Sequence, residues 1–446
     1  MQLKKSRGAK SSALMAASCA LLGATAVRGQ AAPESSDDWL VDSAVLYYKE
    51  DQGRVQAIEP VVNLTRDFGE ERILGLKITY DSLSGGSPNG AIPSRNAQTF
   101  ATPSGASLQA ASGEPVTYTT SSGKVVAQLE KVTLYTTPAG QLPLDPSFHD
   151  QRVAVRGNWQ QRLGDAMRLS VGGDLSHEYD FMSVGVNGTL ARDFNNKNTT
   201  LSFGGNWEQD AVRPVGGAPV GGTDYTQLQK TGNESKNLGG VLFGLTQVMN
   251  RRWLAQLNFS YDRSTGYQND PYKILSVVNA GGDTVGYRFE NRPDGRSRQS
   301  VFLENKVAVG RDVLDFSMRL MKDDWGIRSR TADLRYRWEL GNGKYLEPQA
   351  RYYKQTAADF YNVFVNENSM PAQFMSADPR LGSFDAMTYG VKFGMPLADK
   401  SELSIRIEQY RQSARDLPPA FGQLQGLDLV PGLKSVMLQV GWRFSF

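Results

Sequence analysis

Ser435-Val436-Met437-Leu438-Gln439-Val440-Gly441-Trp442-Arg443-Phe444-Ser445-Phe446, the final twelve residues, divides into two faces when read at a period of two. Val436, Leu438, Val440, Trp442, Phe444 and Phe446 fall on one side, and Ser435, Gln439, Gly441, Arg443 and Ser445 on the other. A two-residue period is the signature of an extended strand with one apolar face. The same division recurs upstream. Leu403, Ile405 and Ile407 oppose Glu402, Ser404, Arg406 and Glu408, and Leu334, Tyr336, Trp338 and Leu340 oppose Asp333, Arg335, Arg337 and Glu339. Such segments run for about ten to fourteen residues, roughly twice the strand of a soluble sandwich and enough for the nine to eleven that cross a bilayer. The apolar face of each needs a partner sheet or hydrocarbon.

The links between segments choose between these. Brief turns, such as those near Gly310 and Asn342, alternate strictly with long polar stretches, such as 357–384 and 412–433. Short turns on one rim and long loops on the other are the outer-membrane pattern. Sixteen segments can be counted, from one beginning near Trp39 to one near Lys434, with the fourth starting near Gln151 and the tenth near Gln299. The expected fold is therefore all-β: a transmembrane, antiparallel, up-and-down β-barrel of about 16 strands, outer-membrane type, occupying 32–446. The longest link, 82–148, is read as an extracellular or pore-lining loop. Within it, Val116–Thr120 and Val132–Thr137 flank Ser121–Lys124 and are expected to form a hairpin. Trp159, Trp253, Trp338 and Trp442 all fall near an assigned inner end, as an aromatic girdle would. Trp442, Phe444 and the terminal Phe446 are expected to be the signal read by the barrel assembly machinery.

Composition agrees with export. Lys4, Lys5, Arg7 and Lys10 precede an apolar run from Ala13 to Val27 and small residues at Gly29, Ala31 and Ala32, the three parts of a signal peptide, assigned to 1–31. Its removal would take five basic residues and no acid, leaving 44 basic against 46 acidic side chains, so the formal charge of +3 becomes −2. The basic balance thus gives no reason to expect nucleic-acid binding. The only cysteine, Cys19, lies in this segment. Ala16-Ala17-Ser18-Cys19 as a lipoprotein processing site is disfavoured by the missing Leu or Val and the very short apolar run before it. A cysteine-free mature chain has no disulfides and no thiolate metal site. Beyond the leader no apolar run has the length of a membrane helix.

Charged side chains on the polar faces identify the candidate site. Lumen-lining positions are expected to include Arg319, Asp333, Arg335, Arg337, Glu347, Arg351, Lys392, Arg406, Glu408 and Arg443, together with Arg152, Arg156, Arg168, Asp174, Glu208, Asp262, Glu304, Lys306 and Asp315. Two readings stay open: a water-filled conduit with an Arg-rich strip biased toward anions, or a network of ion pairs that stiffens the wall. The Gly-rich stretch 214–222 lacks the ending of a phosphate-binding loop and reads as a flexible outward loop. Only His149 and His177 could serve as catalytic bases, and neither has an obvious nucleophile beside it. No catalytic residue, cofactor or metal is expected. The expected function is a porin-like channel or exporter for a small hydrophilic solute, anionic where the Arg-rich strip biases it, in the bacterial outer membrane. The alternative is a non-conducting scaffold; an outer-membrane hydrolase ranks third. Outer-membrane lipids are expected partners, and oligomerisation is left open.

Several passages resemble a known family. Ser87-Pro88-Asn89-Gly90-Ala91, followed by Gln98-Thr99-Phe100, and Leu142-Pro143-Leu144-Asp145-Pro146-Ser147-Phe148 are similar to motifs of a bacterial family known only as a domain of unknown function. Tyr47-Tyr48-Lys49-Glu50, Arg54-Val55, Ile58-Glu59-Pro60 and Asn198-Thr199-Thr200-Leu201-Ser202 resemble the same family. The resemblance covers essentially the whole mature chain. It implies an outer-membrane barrel with genes for small lipoproteins, thioredoxin-like proteins and flavin-attaching enzymes as neighbours, hence a periplasmic lipoprotein or redox partner. It implies no catalytic residue.

Overall fold

Sixteen antiparallel strands pair edge to edge into one closed ring. The computed structural model describes residues 38–446 apart from 102–116, 120–124, 128–133, 215, 228–229, 372 and 399–400, so the expected signal segment lies outside the described residues. In chain order the wall strands are β1 (Leu40–Glu50), β2 (Gln56–Asp67), β3 (Ile73–Pro88), β4 (Leu144–Leu163), β5 (Met167–His177), β6 (Phe181–Phe194), β7 (Thr199–Val212) and β8 (Glu234–Asn250). They continue as β9 (Trp253–Gly266), β10 (Gly295–Val309), β11 (Asp312–Asp323), β12 (Arg328–Gly341), β13 (Lys344–Gln355), β14 (Phe384–Pro396), β15 (Glu402–Ala414) and β16 (Leu433–Ser445). Each bonds to its sequence neighbours, and β16 returns to β1 in register from Leu40 opposite Ser445 to Glu50 opposite Ser435. At the seam the Trp39 amide donates to the Phe446 carbonyl at 2.8 Å, and the Phe446 amide donates back at 3.1 Å. Closure leaves no free sheet edge, which a sheet in hydrocarbon requires.

Residues directly opposite in register share a face, so pairing propagates one alternation round the ring. Phe259, Val301 and Leu320 lie in one row, as do Trp338, Leu346 and Phe393. This face is apolar and uncovered by the protein: Val186, Phe243, Leu320 and Ile407 are each more than half exposed. On the opposite face, side chains reach over intervening strands. Arg406 of β15 lies 3.5 Å from Glu347 of β13 across β14, and Arg168 of β5 lies 3.7 Å from Glu71, which precedes β3, across β4. Only the concave side brings alternate strands that close, so the polar face is the interior. The opposite arrangement would set each Lys or Arg against lipid, at about 2 to 4 kcal/mol apiece at mid-depth.

The wall departs from the sequence expectation at its outer rim. β3 continues to Pro88 and β4 begins at Leu144, seven residues before Gln151, with Ser87 opposite Asp145. The link expected at 82–148 therefore shortens to 89–143. Above the lipid both faces meet water or protein, so pairing continues after the alternation that marks it in sequence has faded. The expected hairpin also forms differently: Thr117–Thr119 pairs with Val125–Ala127, while Leu134–Thr137 pairs with Gln98–Ala101. β-propensity marks a strand but does not choose its partner. The Gly-rich stretch is not a free loop. After Gly216 and Gly217, both at positive φ, Ala218–Pro219 pairs with Lys230–Gly232, and Ala218 is buried.

Candidate functional site

The interior is a wall of charge whose members sit on consecutive polar positions of β11 to β15. Asp333 on β12 receives Arg335 at 3.0 Å and Arg351 of β13 at 2.7 Å, and Gln349 donates to the same carboxylate at 2.8 Å. Arg337 pairs with Glu339 at 2.5 Å and lies 3.7 Å over the buried Tyr345 ring. That ring fits because the facing residue is Gly394; a Cβ there would collide with it. Lys392 approaches the same ring at 5.6 Å. Arg406 joins Glu347 to Glu408, the latter at 3.2 Å, and Arg443 pairs with Asp42 across the seam at 2.6 Å. Glu304 and Asp315 share Lys306 at 3.1 and 3.8 Å. Of the Arg strip, Arg319 alone touches no carboxylate among the described residues; it is exposed and stacks on Phe302 at 5.4 Å.

On the opposite arc, Arg156 faces Asp174 at 3.7 Å, Arg168 bonds Asp193 at 3.0 Å, Arg152 pairs with Asp81, and Lys236 pairs with Asp210 at 3.1 Å. Glu208 and Asp262 occupy polar positions of β7 and β9, opposite Leu238 or Gly185 and Gly240 or Arg298. The histidines do not converge: His177 is opposite Val153 and Met182 on the apolar face, and His149 opposite Ser84.

Above this wall the long loops interlock. The loop 89–143 rises between β3 and β4, and 267–294 between β9 and β10, six strands round the ring; yet the Ile274 amide donates to the Asn89 carbonyl at 2.9 Å, and Ile92 donates to the fully buried Ser276 Oγ at 3.1 Å. Gly90, at positive φ, lies so close to the Ile274 carbonyl that any Cβ would strike it. Arg95 donates to the carbonyls of Gln423 and Gln425, at 3.0 and 2.7 Å, in the loop between β15 and β16. Strands Ile274–Val278 and Thr284–Phe289 join Val365–Asn366 of the β13–β14 loop in a small sheet. Loops rooted on opposite arcs can meet in this way only by crossing the mouth.

The crossing is fastened by buried charge. Arg292 pairs with Glu290 and with Asp378, each at 2.8 Å; Arg380 pairs with Asp378 and, at 2.8 Å, with Asp270. Lys273 donates its ammonium to the Pro88 carbonyl, Ser376 donates to Glu290 at 2.6 Å, and the Tyr272 hydroxyl donates to Asp180 of the β5–β6 link. Four acids, Asp180, Asp270, Glu290 and Asp378, thus meet three bases, Lys273, Arg292 and Arg380. Burial alone would raise the Asp378 carboxyl, but Arg380 and Arg292 override it and hold that group far below the usual carboxylate range. Burial pushes the Glu290 carboxyl up, with Arg292 opposing.

Two groups escape the sequence reading. The cap cluster joins residues up to 185 positions apart, which no local motif marks. Leu46, Tyr48, Leu83, Phe148 and Met437 form a buried apolar patch on polar-parity positions near the outer rim. Tyr47-Tyr48 side by side, breaking the alternation, is its only sequence trace.

Solved structures of similar architecture include a monoaromatic hydrocarbon channel, CymD, at 7% identity, covering 92% of this chain and 89% of that one with a TM-score of 0.37. The outer membrane protein opdK of Pseudomonas aeruginosa shares 9% identity over 92% and 99% of the two chains, TM-score 0.38. A bacterial polysaccharide outer membrane secretin shares 8% over 92% and 99%, TM-score 0.41. A comparison with curated proteins gives no match. This integral outer-membrane β-barrel belongs to the family described as a protein of unknown function (DUF3570), which matches residues 11–444.

Proposed function

We propose that the protein is a gated conduit for a small hydrophilic solute, shut at its outer mouth in the state described. The observation that carries this reading is the charged interior of a sixteen-strand wall, since barrels of that size enclose water. β11, β12 and β13 place four arginines, at 319, 335, 337 and 351, among the carboxylates of Asp315, Asp323, Asp333, Glu339 and Glu347. Arg335 and Arg351 share Asp333 and Arg337 takes Glu339, so the strip is neutralised only in part, and Arg319 adds a further charge that favours anions. No catalytic step is assigned to the chain.

A second reading, a non-conducting scaffold for periplasmic or surface partners, draws on the interlocked mouth. Planar-bilayer conductance separates the two. The conduit requires low conductance from the wild-type chain and a large increase, about tenfold or more, when the cap is cut by deleting 90–142. Silence from both proteins would discard the conduit and favour the scaffold.

A further inference from the structure

One hollow of the molecule lies outside the barrel, on the lipid-facing side of β9 to β13 near the loop rim. It has a volume of about 490 Å³ and is floored by Phe259, Val301 and Leu320. Lys322, Arg328 and Arg330 rise from its upper edge, on the same outward parity: Leu320 is opposite Arg330, and Lys322 opposite Arg328. All three are exposed, and their side chains make no hydrogen bond or ion pair among the described residues. The nearby carboxylates are engaged by other groups: Asp323 with Arg296 at 2.5 Å, Asp324 with the Ser297 amide at 2.9 Å, and Asp385 with Arg415 at 2.7 Å and with Lys354, a further lining residue, at 3.9 Å. Depth completes the picture. Leu320 is the ninth residue of β11 counted from the inner turn and Lys322 the eleventh, so the cations stand where the hydrocarbon gives way to headgroups. The rim is also one-sided. On β4 and β6 to β8 the matching outward positions are Gln151, Met182, Gln209 and Ser235, without Lys or Arg.

Apolar floor, uncompensated cations and headgroup depth complement one kind of occupant. We propose that this hollow holds a phosphorylated, acylated lipid of the outer leaflet, its phosphates on Arg328, Arg330 and Lys322 and its chains along Phe259, Val301 and Leu320. Guanidinium groups bind phosphate through paired hydrogen bonds, and basic pockets at membrane level select anionic headgroups. The site is independent of whether the lumen conducts.

Native mass spectrometry of the full chain in detergent, titrated with a bisphosphorylated acylated disaccharide lipid, tests it. The wild-type protein is expected to retain the lipid. Arg330→Gln should weaken binding about tenfold, and the triple change Lys322→Gln, Arg328→Gln, Arg330→Gln about a hundredfold, for charge-assisted bonds of the usual strength. A heat-modifiability shift on gels shows whether each variant is folded; if the triple variant is not, the single one decides. Equal binding of the dephosphorylated lipid, unchanged binding by folded variants, or displacement by equimolar inorganic phosphate would each overturn the proposal, the last reassigning the cations to free phosphate.

Discussion

Asp378 lies at the centre of the mouth, a buried carboxylate between Arg292 and Arg380. Asp378→Ala would take one carboxylate from each of two guanidinium groups, leaving Arg292 on Glu290 and Arg380 on Asp270, a loss of about 1.5 to 3 kcal/mol for each charge-assisted bond. Faster amide hydrogen exchange in 267–294 and 356–383, with the wall unchanged, is the expected result. Protons act on the same residue. Its folded value lies below its unfolded value, so its stabilisation is complete above about pH 4 and is lost only as pH falls through the lower folded value. Glu290 runs the other way, being raised, and its contribution is lost as pH rises through its folded value. Bilayer conductance is therefore expected to remain low at about pH 4 and to rise on further acidification. Arg319 is the arginine of the strip that touches no carboxylate among the described residues. In the cap-deleted protein, Arg319→Glu should move the reversal potential in a salt gradient toward cations; Arg335→Glu, which removes a group already paired with Asp333, should also disturb folding.

At the scale of the strand, alternation sets the energetics. Leu334 is outward and Asp333 inward on β12. Leu334→Arg should destabilise the barrel by about 2 to 4 kcal/mol if it lies near mid-depth, read from urea titrations in lipid vesicles. β15 and β16 were legible because Leu403 to Glu408 and Ser435 to Phe446 keep their period without a break. The rims of β3 and β4 were not legible: from Leu83 to Pro88, apolar and small residues fall on both faces. The polar-face assignment of Arg335, Arg406 and Arg443 followed from alternation alone, whereas their pairing with Asp333, Glu347 and Asp42 depends on neighbours fixed only by register. The cap was invisible to periodicity because Lys273, Glu290, Arg292 and Asp378 sit in irregular loops and acquire meaning only when the ring brings those loops together.

For the whole molecule, one arrangement unites wall, interior and rim: apolar side chains outside, ion pairs within, loops locked across the outer mouth. If Cys19 leaves with the leader, single cysteines can be placed without background. The most direct measurement attaches bimane to Ile405→Cys and Leu438→Cys, which are outward, and to Ser404→Cys and Gln439→Cys, which are inward, in vesicles containing nitroxide-labelled lipid. Strong quenching at 405 and 438 with little at 404 and 439 is expected. Equal quenching at all four, or the reverse order, would contradict the lipid-facing assignment and the barrel orientation with it.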